Sequence, residues 1–417
     1  MQKWTLKEIV EHAKKYSPYY GELYRDVDTT KLSDLPIIDQ SQFWKSVVVT
    51  EKNPDGIVFK SGGSTGAPKY SYFTNLEWMS FCEGFGLGMA EGILSSGDRV
   101  ANLFYAGDLY ASFLFIKDSL NFIPADKKKL THFPIAGQTD HLQILKTIEE
   151  FDINVIVGVP SAVLIMLEKY SQNKTIFPKL KIEKILFGGE ALYDDQKTAL
   201  LKIFPDVQIS SIGCASVDGG LIGYSSTDCK SGEHRCFDGS NIIEIVDPDT
   251  LEVITEKNRV GKVLLTNLAR KLMPIIRYPA GDLAEWIEDA GSPDRKFKLL
   301  GRSEEAARLG TLSVYFEDTR EMLMKTISHI SGIQFQMILK HFDHKDQLTF
   351  KVSSQDIKAL ELEVNNILEA FIKEKGTYID LVNKNLIHPL VIEVVTQEKL
   401  EANSRTGKLK RIIDLRS

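Results

Sequence analysis

The chain has 417 residues, 43% of them hydrophobic, with 51 basic against 57 acidic side chains and a formal net charge of −6. That length is enough for one large domain and a smaller companion, and the absence of any long block of like charge argues against a nucleic-acid partner. The most apolar stretch, residues 104–124, is broken by Asp108, Lys117 and Asp118, which is too polar for a membrane span, so no membrane partner is expected.

Thr5 followed by Glu8 is a capping-box signature, and Leu6, Ile9, Val10 and Ala13 then form one apolar face until Pro18, which predicts an N-terminal helix. No secretory apolar core precedes it, and four cysteines in so long a chain do not build a disulfide framework, so a cytoplasmic location is expected. From there to about residue 300, strand-like runs at 155–159, 184–187, 242–246 and 262–266 alternate with helical segments such as 162–170. The reading is α/β with a large mixed sheet. After Arg302 the texture changes to a helix near 317–328, strands near 334–341 and 348–352, a helix from 355 and a strand near 390–395. The expected domains are therefore 1–302 and a small α+β domain, 303–417.

The densest chemistry lies in Ser61, Gly62, Gly63, Ser64, Thr65, Gly66, Ala67, Pro68 and Lys69. Glycines let a backbone approach an anion and turn its N–H groups inward, Ser64 and Thr65 add hydroxyl donors, and Lys69 supplies charge. Pro68 stands where a Walker A loop needs glycine, so this is a phosphate loop of another kind.

The loop resembles the phosphate signature of the superfamily that adenylates acyl and aryl acids, which includes acyl-CoA synthetases, luciferases and peptide-synthetase adenylation domains. Further blocks follow in that family's order. Phe187, Gly188, Gly189, Glu190, Ala191 and Leu192 resemble its Gly-Gly-Glu-Ala block, which lies along adenine and ribose. Cys214, Ala215, Ser216, Val217, Asp218 and Gly219 stand where the family has Tyr-Gly-Ser-Thr-Glu-Gly, which contacts adenine, the α-phosphate and magnesium. Arg277 to Leu283 resemble the Tyr-Arg-Thr-Gly-Asp-Leu block, Gly301 to Glu305 the hinge, and Ser404 to Lys408 the block that ends in a catalytic lysine. Tyr16 to Tyr20, Leu35 to Ile37 and the Arg277-Tyr278 pair are similar to the phenylacetate-CoA ligase branch.

The resemblance implies a large N-terminal adenylate-forming domain with mixed sheets and helices, a small mobile C-terminal domain, and ATP-dependent acid adenylation followed by thioester formation. The roles it implies are catalysis by Lys408 and Asp218, with Asp218 holding Mg²⁺. Ser61 to Lys69 meet the outer phosphates of ATP. Gly188 to Ala191 and Cys214 to Val217 meet the nucleotide and its AMP product, and Asp282 and Arg302 meet the ribose. Glu304 is the hinge. Cys214, Val217, Asp218 and Glu304 replace the family's usual tyrosine, hydroxyl residue, glutamate and aspartate.

Phe104, Tyr105, Ala106, Val159 and Pro160 fall where the family lines its acid pocket, and aromatic walls beside a small residue suit a flat ring, so an aryl acid is expected. The alternative for these aromatics is ordinary core. The thiol acceptor is coenzyme A, the phosphopantetheine of an acyl carrier protein or the thiol of another protein, as in an acyl-protein ligase, which the residues do not separate. A nucleotide-binding pseudoenzyme is the alternative from another class, motivated by Cys214 and Val217. Finally, Cys229, His234 and Cys236, with Cys214 as a fourth member, have a spacing compatible with structural zinc, against the reading that they are small core residues.

Overall fold

In the computed structural model, which describes residues 3–28, 31–61, 69–190, 192–302, 306–330, 333–354, 356–401 and 409–416, Thr5 caps the first helix, Leu6–Tyr16, in a reciprocal capping box with Glu8. Pro18 ends that run but also opens the next helix, Pro18–Leu23, at a position where its missing N–H costs nothing. The described chain forms two compact units: residues 3–61, 69–189 and 197–301, and residues 302–416 together with 190–196. No helix among the described residues is long and apolar enough to cross a membrane.

The larger unit sorts its strands by direction instead of mixing them in one sheet. One five-stranded sheet is wholly parallel, in the order Thr131–Pro134, Arg99–Asn102, Val155–Gly158, Lys184–Phe187, Gln208–Ser211. Helices bridge successive strands, as parallel pairing requires; His141–Glu150 and Pro160–Gln172 flank Val155–Gly158. All four residues of that strand are buried, the signature of a strand covered on both faces. The strand stops before Val159 because Val159 is the N-cap and Pro160 the first residue of the following helix. A second five-stranded sheet has the order Glu233–Arg235, Lys296–Arg302, Tyr278–Trp286, Gly261–Asn267, Asn241–Val246, with the antiparallel pairings Glu233↔Lys298, Gly261↔Ala284 and Asn241↔Asn267.

A separate hairpin, Gly56–Ser61 with Lys69–Thr74, carries the glycine-rich loop and pairs Ser61 with Lys69 across its mouth. Gly56 is obligatory there: a Cβ would sit 1.9 Å from the Phe73 carbonyl oxygen. Beneath the hairpin lies an aromatic core in which Phe59 meets Trp78 at 4.5 Å, Phe73 meets Phe81 at 5.6 Å and Phe81 stacks on Phe115 at 4.6 Å. Such pairs add about 0.5–1.5 kcal/mol each beyond their buried area, so the hairpin has a stiff floor.

The smaller unit holds a four-stranded sheet in the order Val391–Val394, Lys345–Ser353, Gln334–Phe342, Ile412–Asp414. Its central hairpin turns at Asp343 and His344, whose φ values are +47° and +66°, the left-handed pair that matches strand twist. Neither is glycine, which is why the sequence suggested shorter strands. The segment from 355 forms three helices, Ile357–Leu362, Val364–Glu374 and Gly376–Asn383, instead of one. A small hairpin, Ala306–Leu309 with Leu312–Tyr315, turns at Gly310 with φ +51°.

Candidate active site

The parallel strands deliver the predicted residues to one edge. At their carboxyl ends, the ligand edge of open α/β sheets, Arg99–Asn102 leads to Phe104, Tyr105 and Ala106, Val155–Gly158 to Val159 and Pro160, Lys184–Phe187 to Gly188 and Gly189, and Gln208–Ser211 to Cys214. Adjacent loops are stitched together by Leu103 N–H to Val157 O at 2.8 Å, Gly188 N–H to Gly158 O at 3.2 Å and Ile212 N–H to Phe187 O at 2.9 Å. Glycine suits both positions. A Cβ on Gly188 would meet Ile212 Cδ1 at 2.8 Å, and Gly189 has φ +84°. Phe104 is buried in the core behind this edge, Pro160 is buried at its helix start, Val159 is half-buried, and Tyr105 is exposed. The solvent-facing aromatics are thus Tyr105 and the half-buried Tyr110, 5.9 Å apart and edge-on.

Asp218 sits in the turn between Cys214–Ser216 and Gly220–Gly223. Ser216 Oγ accepts from the backbone N–H groups of Asp218 and Gly219, both at 3.1 Å, and Asp218 Oδ1 accepts from Ser71 Oγ at 3.4 Å. Ser71 lies on the strand that begins at Lys69, so the hairpin from which the glycine-rich segment extends and the acidic turn are direct neighbours. The half-buried Asp218 carboxylate is a hard oxygen donor, which fits Mg²⁺, an ion that keeps several waters and takes one or two carboxylates.

Lys69 is buried and donates to Gln40 Oε1 at 3.2 Å, with its ammonium 5.3 Å from the centre of the Trp44 ring. Trp44 in turn donates to the Tyr278 hydroxyl at 3.3 Å. Tyr278 starts the strand that carries the half-buried Asp282. Gln40 and Trp44 therefore join two of the predicted blocks, and no sequence signal marked them. Burial, the Asp282 carboxylate and Cys236 all push the Cys214 thiol well above its usual range, so Cys214 stands beside Asp282 as a neutral thiol.

The zinc expectation is corrected. His234 is buried with both ring nitrogens engaged: Nδ1 donates to the Gly232 carbonyl and Nε2 accepts from Ser211, each at 3.2 Å. Cys229 Sγ pairs with Ser226 Oγ at 3.3 Å, and burial raises the Cys236 thiol far above its normal value. Among the described residues no three His, Cys, Asp or Glu side chains gather as a metal group. Gly62, Gly63, Ser64, Thr65, Gly66, Ala191, Glu304 and Lys408 lie outside the described residues, as do the side chains of Ser61 and Arg302. Glu190 is described and belongs to the smaller unit.

No protein-family model matches the chain. The phenylacetate-coenzyme A ligase of Aromatoleum evansii is 23% identical over 439 residues, spanning 100% of this chain and 94% of that protein. The indoleacetate–lysine synthetase of Pseudomonas savastanoi is 23% identical over 421 residues, spanning 96% of this chain and 94% of that one. Among solved structures, a 2-hydroxyisobutyryl-CoA ligase in complex with 2-HIB-AMP and CoA superposes with a TM-score of 0.72 at 16% identity, covering 98% of this chain and 88% of that one; the two share a fold. Similarity to acid–CoA ligases that runs the length of the chain makes it a distant homologue within the adenylate-forming ligase superfamily. Within that class the chain is a distant, full-length homologue of phenylacetate-CoA ligases.

Proposed function

We propose that this protein is an AMP-forming acid–thiol ligase that activates an aryl carboxylic acid and passes the acyl group to coenzyme A. The observation that carries the reading is the meeting of three separate blocks in the larger unit: the hairpin strand from Lys69, the Asp218 turn that Ser71 holds, and the Tyr278 strand that Trp44 joins to Lys69. In the first half-reaction a carboxylate oxygen attacks the α-phosphorus of ATP and pyrophosphate leaves, giving the acyl-adenylate. In the second the thiol sulfur attacks the acyl carbon, AMP leaves, and the thiol proton passes to solvent.

Both steps concentrate negative charge, so the work assigned to this chain is charge handling and positioning. Ser61 to Lys69 would receive the outer phosphates, Asp282 and Arg302 the ribose, and Lys408 the charge that develops between carboxylate and α-phosphate. Asp218 would hold Mg²⁺, which neutralises phosphate charge when bound. Turning of the smaller unit about Glu304 would withdraw Lys408 and admit the thiol. The aryl preference rests on the paired rings of Tyr105 and Tyr110 in the loop that carries Ala106 at the strand edge.

A second acceptor class is favoured by one observation, the similarity to an indoleacetate–lysine synthetase over 96% of the chain: an amine in place of the thiol. ATP–pyrophosphate exchange with a panel of aryl and alkyl acids tests the first half-reaction, and product analysis with CoA, a phosphopantetheinylated carrier protein or lysine tests the second. Exchange that depends on an aryl acid, with a CoA thioester as product, is the expected result. ATP binding with no acid-dependent exchange would instead identify a pseudoenzyme.

A further inference from the structure

Arg270 is 1% exposed, among the most deeply buried large side chains of the described chain, and burying a guanidinium is costly unless its donors are satisfied. They are satisfied by main chain. Nε and an Nη donate to the Tyr72 carbonyl at 3.3 and 2.9 Å, and the other Nη donates to the carbonyls of Val217 and Asp218 at 3.2 and 2.9 Å. The guanidinium also lies 3.9 Å from the Phe73 ring centre. Its charge is countered by Glu77, which is locked in place by the backbone N–H groups of Thr74, Lys271 and Leu272 at 2.7–2.9 Å. Burial lowers the pKa of Arg270 to about 10, so the cation persists at neutral pH.

The placement of these bonds is specific. Tyr72 follows Ser71, and Ser71 is the donor to the Asp218 carboxylate. One guanidinium therefore holds the backbone at both ends of the Ser71–Asp218 hydrogen bond. Two nearby carbonyls are also captured by side-chain amides, Gly219 O in the turn by Asn267 at 3.4 Å and Leu221 O on the following strand by Asn241. With the amides of 218 and 219 committed to Ser216, the turn has little backbone freedom left from which the carboxylate reaches Ser71. Lysine, with a single rotating ammonium, cannot span three carbonyls on a strand and a turn in this way.

We infer that Arg270 is the positioning residue of the Asp218 carboxylate, and that it sets the affinity of the nucleotide-bound enzyme for a divalent cation. The inference rests on the reading of Asp218 as the carboxylate that meets the metal. It accounts for a costly buried cation that touches no proposed substrate, and it assigns a task to a residue outside every recognised block.

Mn²⁺ binding in the presence of ATP and the absence of acid, followed by the electron paramagnetic resonance of free Mn²⁺, tests it without turnover. Arg270→Gln is expected to weaken Mn²⁺ by about ten-fold or more, the usual effect of losing a residue that orients a metal ligand, with Arg270→Lys between it and wild type. The double variant Arg270→Gln/Asp218→Asn should bind no more weakly than Asp218→Asn alone, because Arg270 acts through Asp218. Wild-type affinity in folded Arg270→Gln, or losses that add in full, would overturn the inference, since a role in stability alone lowers the melting temperature without that coupling. If the glutamine variant does not fold, Arg270→Lys decides by the same two criteria. If Asp218→Asn binds Mn²⁺ as wild type does, the Asp218 assignment itself fails and takes the inference with it.

Discussion

The backbone N–H of Lys60 donates to the carbonyl of Leu109 at 2.9 Å. Lys60 is the residue before Ser61, where the glycine-rich loop begins, and Leu109 belongs to the loop after Phe104, Tyr105 and Ala106. The lysine ammonium adds an ion pair with Asp108, and Gly107, Asp108 and Leu109 all have positive φ. A conformation held at two non-glycine residues against steric preference persists only where its surroundings enforce it. The loop assigned to the acid is thus tied to the strand assigned to the phosphates.

Asp108→Asn should leave global stability within about 1 kcal/mol of wild type, because the Asp108 side chain is 72% exposed and such pairs are weak. Its effect should fall on the acid instead. A loss of about 1 kcal/mol of loop pre-organisation raises the KM for the acid by about five-fold, and steady-state kinetics with the acid varied would read it. An unchanged KM would remove the loop from the acid site.

Arg277 makes the opposite kind of pair. Its side chain and that of Glu244 are 6% and 8% exposed and meet at 3.1 Å, and Arg277 also donates to the carbonyls of Ser33 and Leu35 at 3.1 and 2.6 Å. Arg277→Met leaves a buried carboxylate without its cation and should cost about 3–5 kcal/mol. Arg277→Met/Glu244→Met should recover a large part of that loss in urea denaturation. Additive losses would show that the bonds to Ser33 and Leu35, and not the pairing of charge, dominate.

Burial also sets a pH dependence. His234 is held down to about 4 from an ordinary value of 6.5, so above pH 6.5 both folded and unfolded chains carry it neutral and its contribution is complete. As the pH falls from 6.5 towards 4, the unfolded chain takes up a proton that the folded chain refuses, and stability drops by about 3 kcal/mol in all. Urea unfolding across this interval should show a shallower pH dependence for His234→Gln than for wild type. Equal slopes would mean that the imidazole protonates in the folded protein.

Lys408→Ala should abolish ATP-driven adenylate formation, by on the order of 10²-fold or more, while thioester formation from supplied acyl-adenylate survives much better. Separate assays of the two half-reactions check this. Equal losses in both would reduce Lys408 to a structural role.

Much of the architecture was legible because its signals are local. The capping box at Thr5 and Glu8, the apolar run of Val155–Gly158 and the strand at 391–394 each depend on residues close together in the chain. The hairpin at Asp343 and His344 was only partly legible, because left-handed φ values at residues other than glycine are imposed by the flanking strands. The zinc expectation failed for a related reason. Cys229, His234 and Cys236 are close in sequence, but sequence spacing does not tell whether thiols and imidazoles face one another or are already spent on Ser226, Gly232 and Ser211.

The sequence by itself determined the chemical blocks: a glycine and hydroxyl loop ending in Lys69, the Gly188-Gly189 pair, Asp218 and Asp282, in an order that marks the superfamily. Tertiary structure alone decided what holds them. Ser71 reaches Asp218 across 147 positions, Arg270 reaches the Asp218 carbonyl across 52, and Gln40 reaches Lys69 across 29. Reactive groups must be particular residue types, so they leave a mark in the sequence. A main-chain carbonyl accepts from any well-placed donor and is present at every residue, so the partners that position those groups become visible only when the chain is folded.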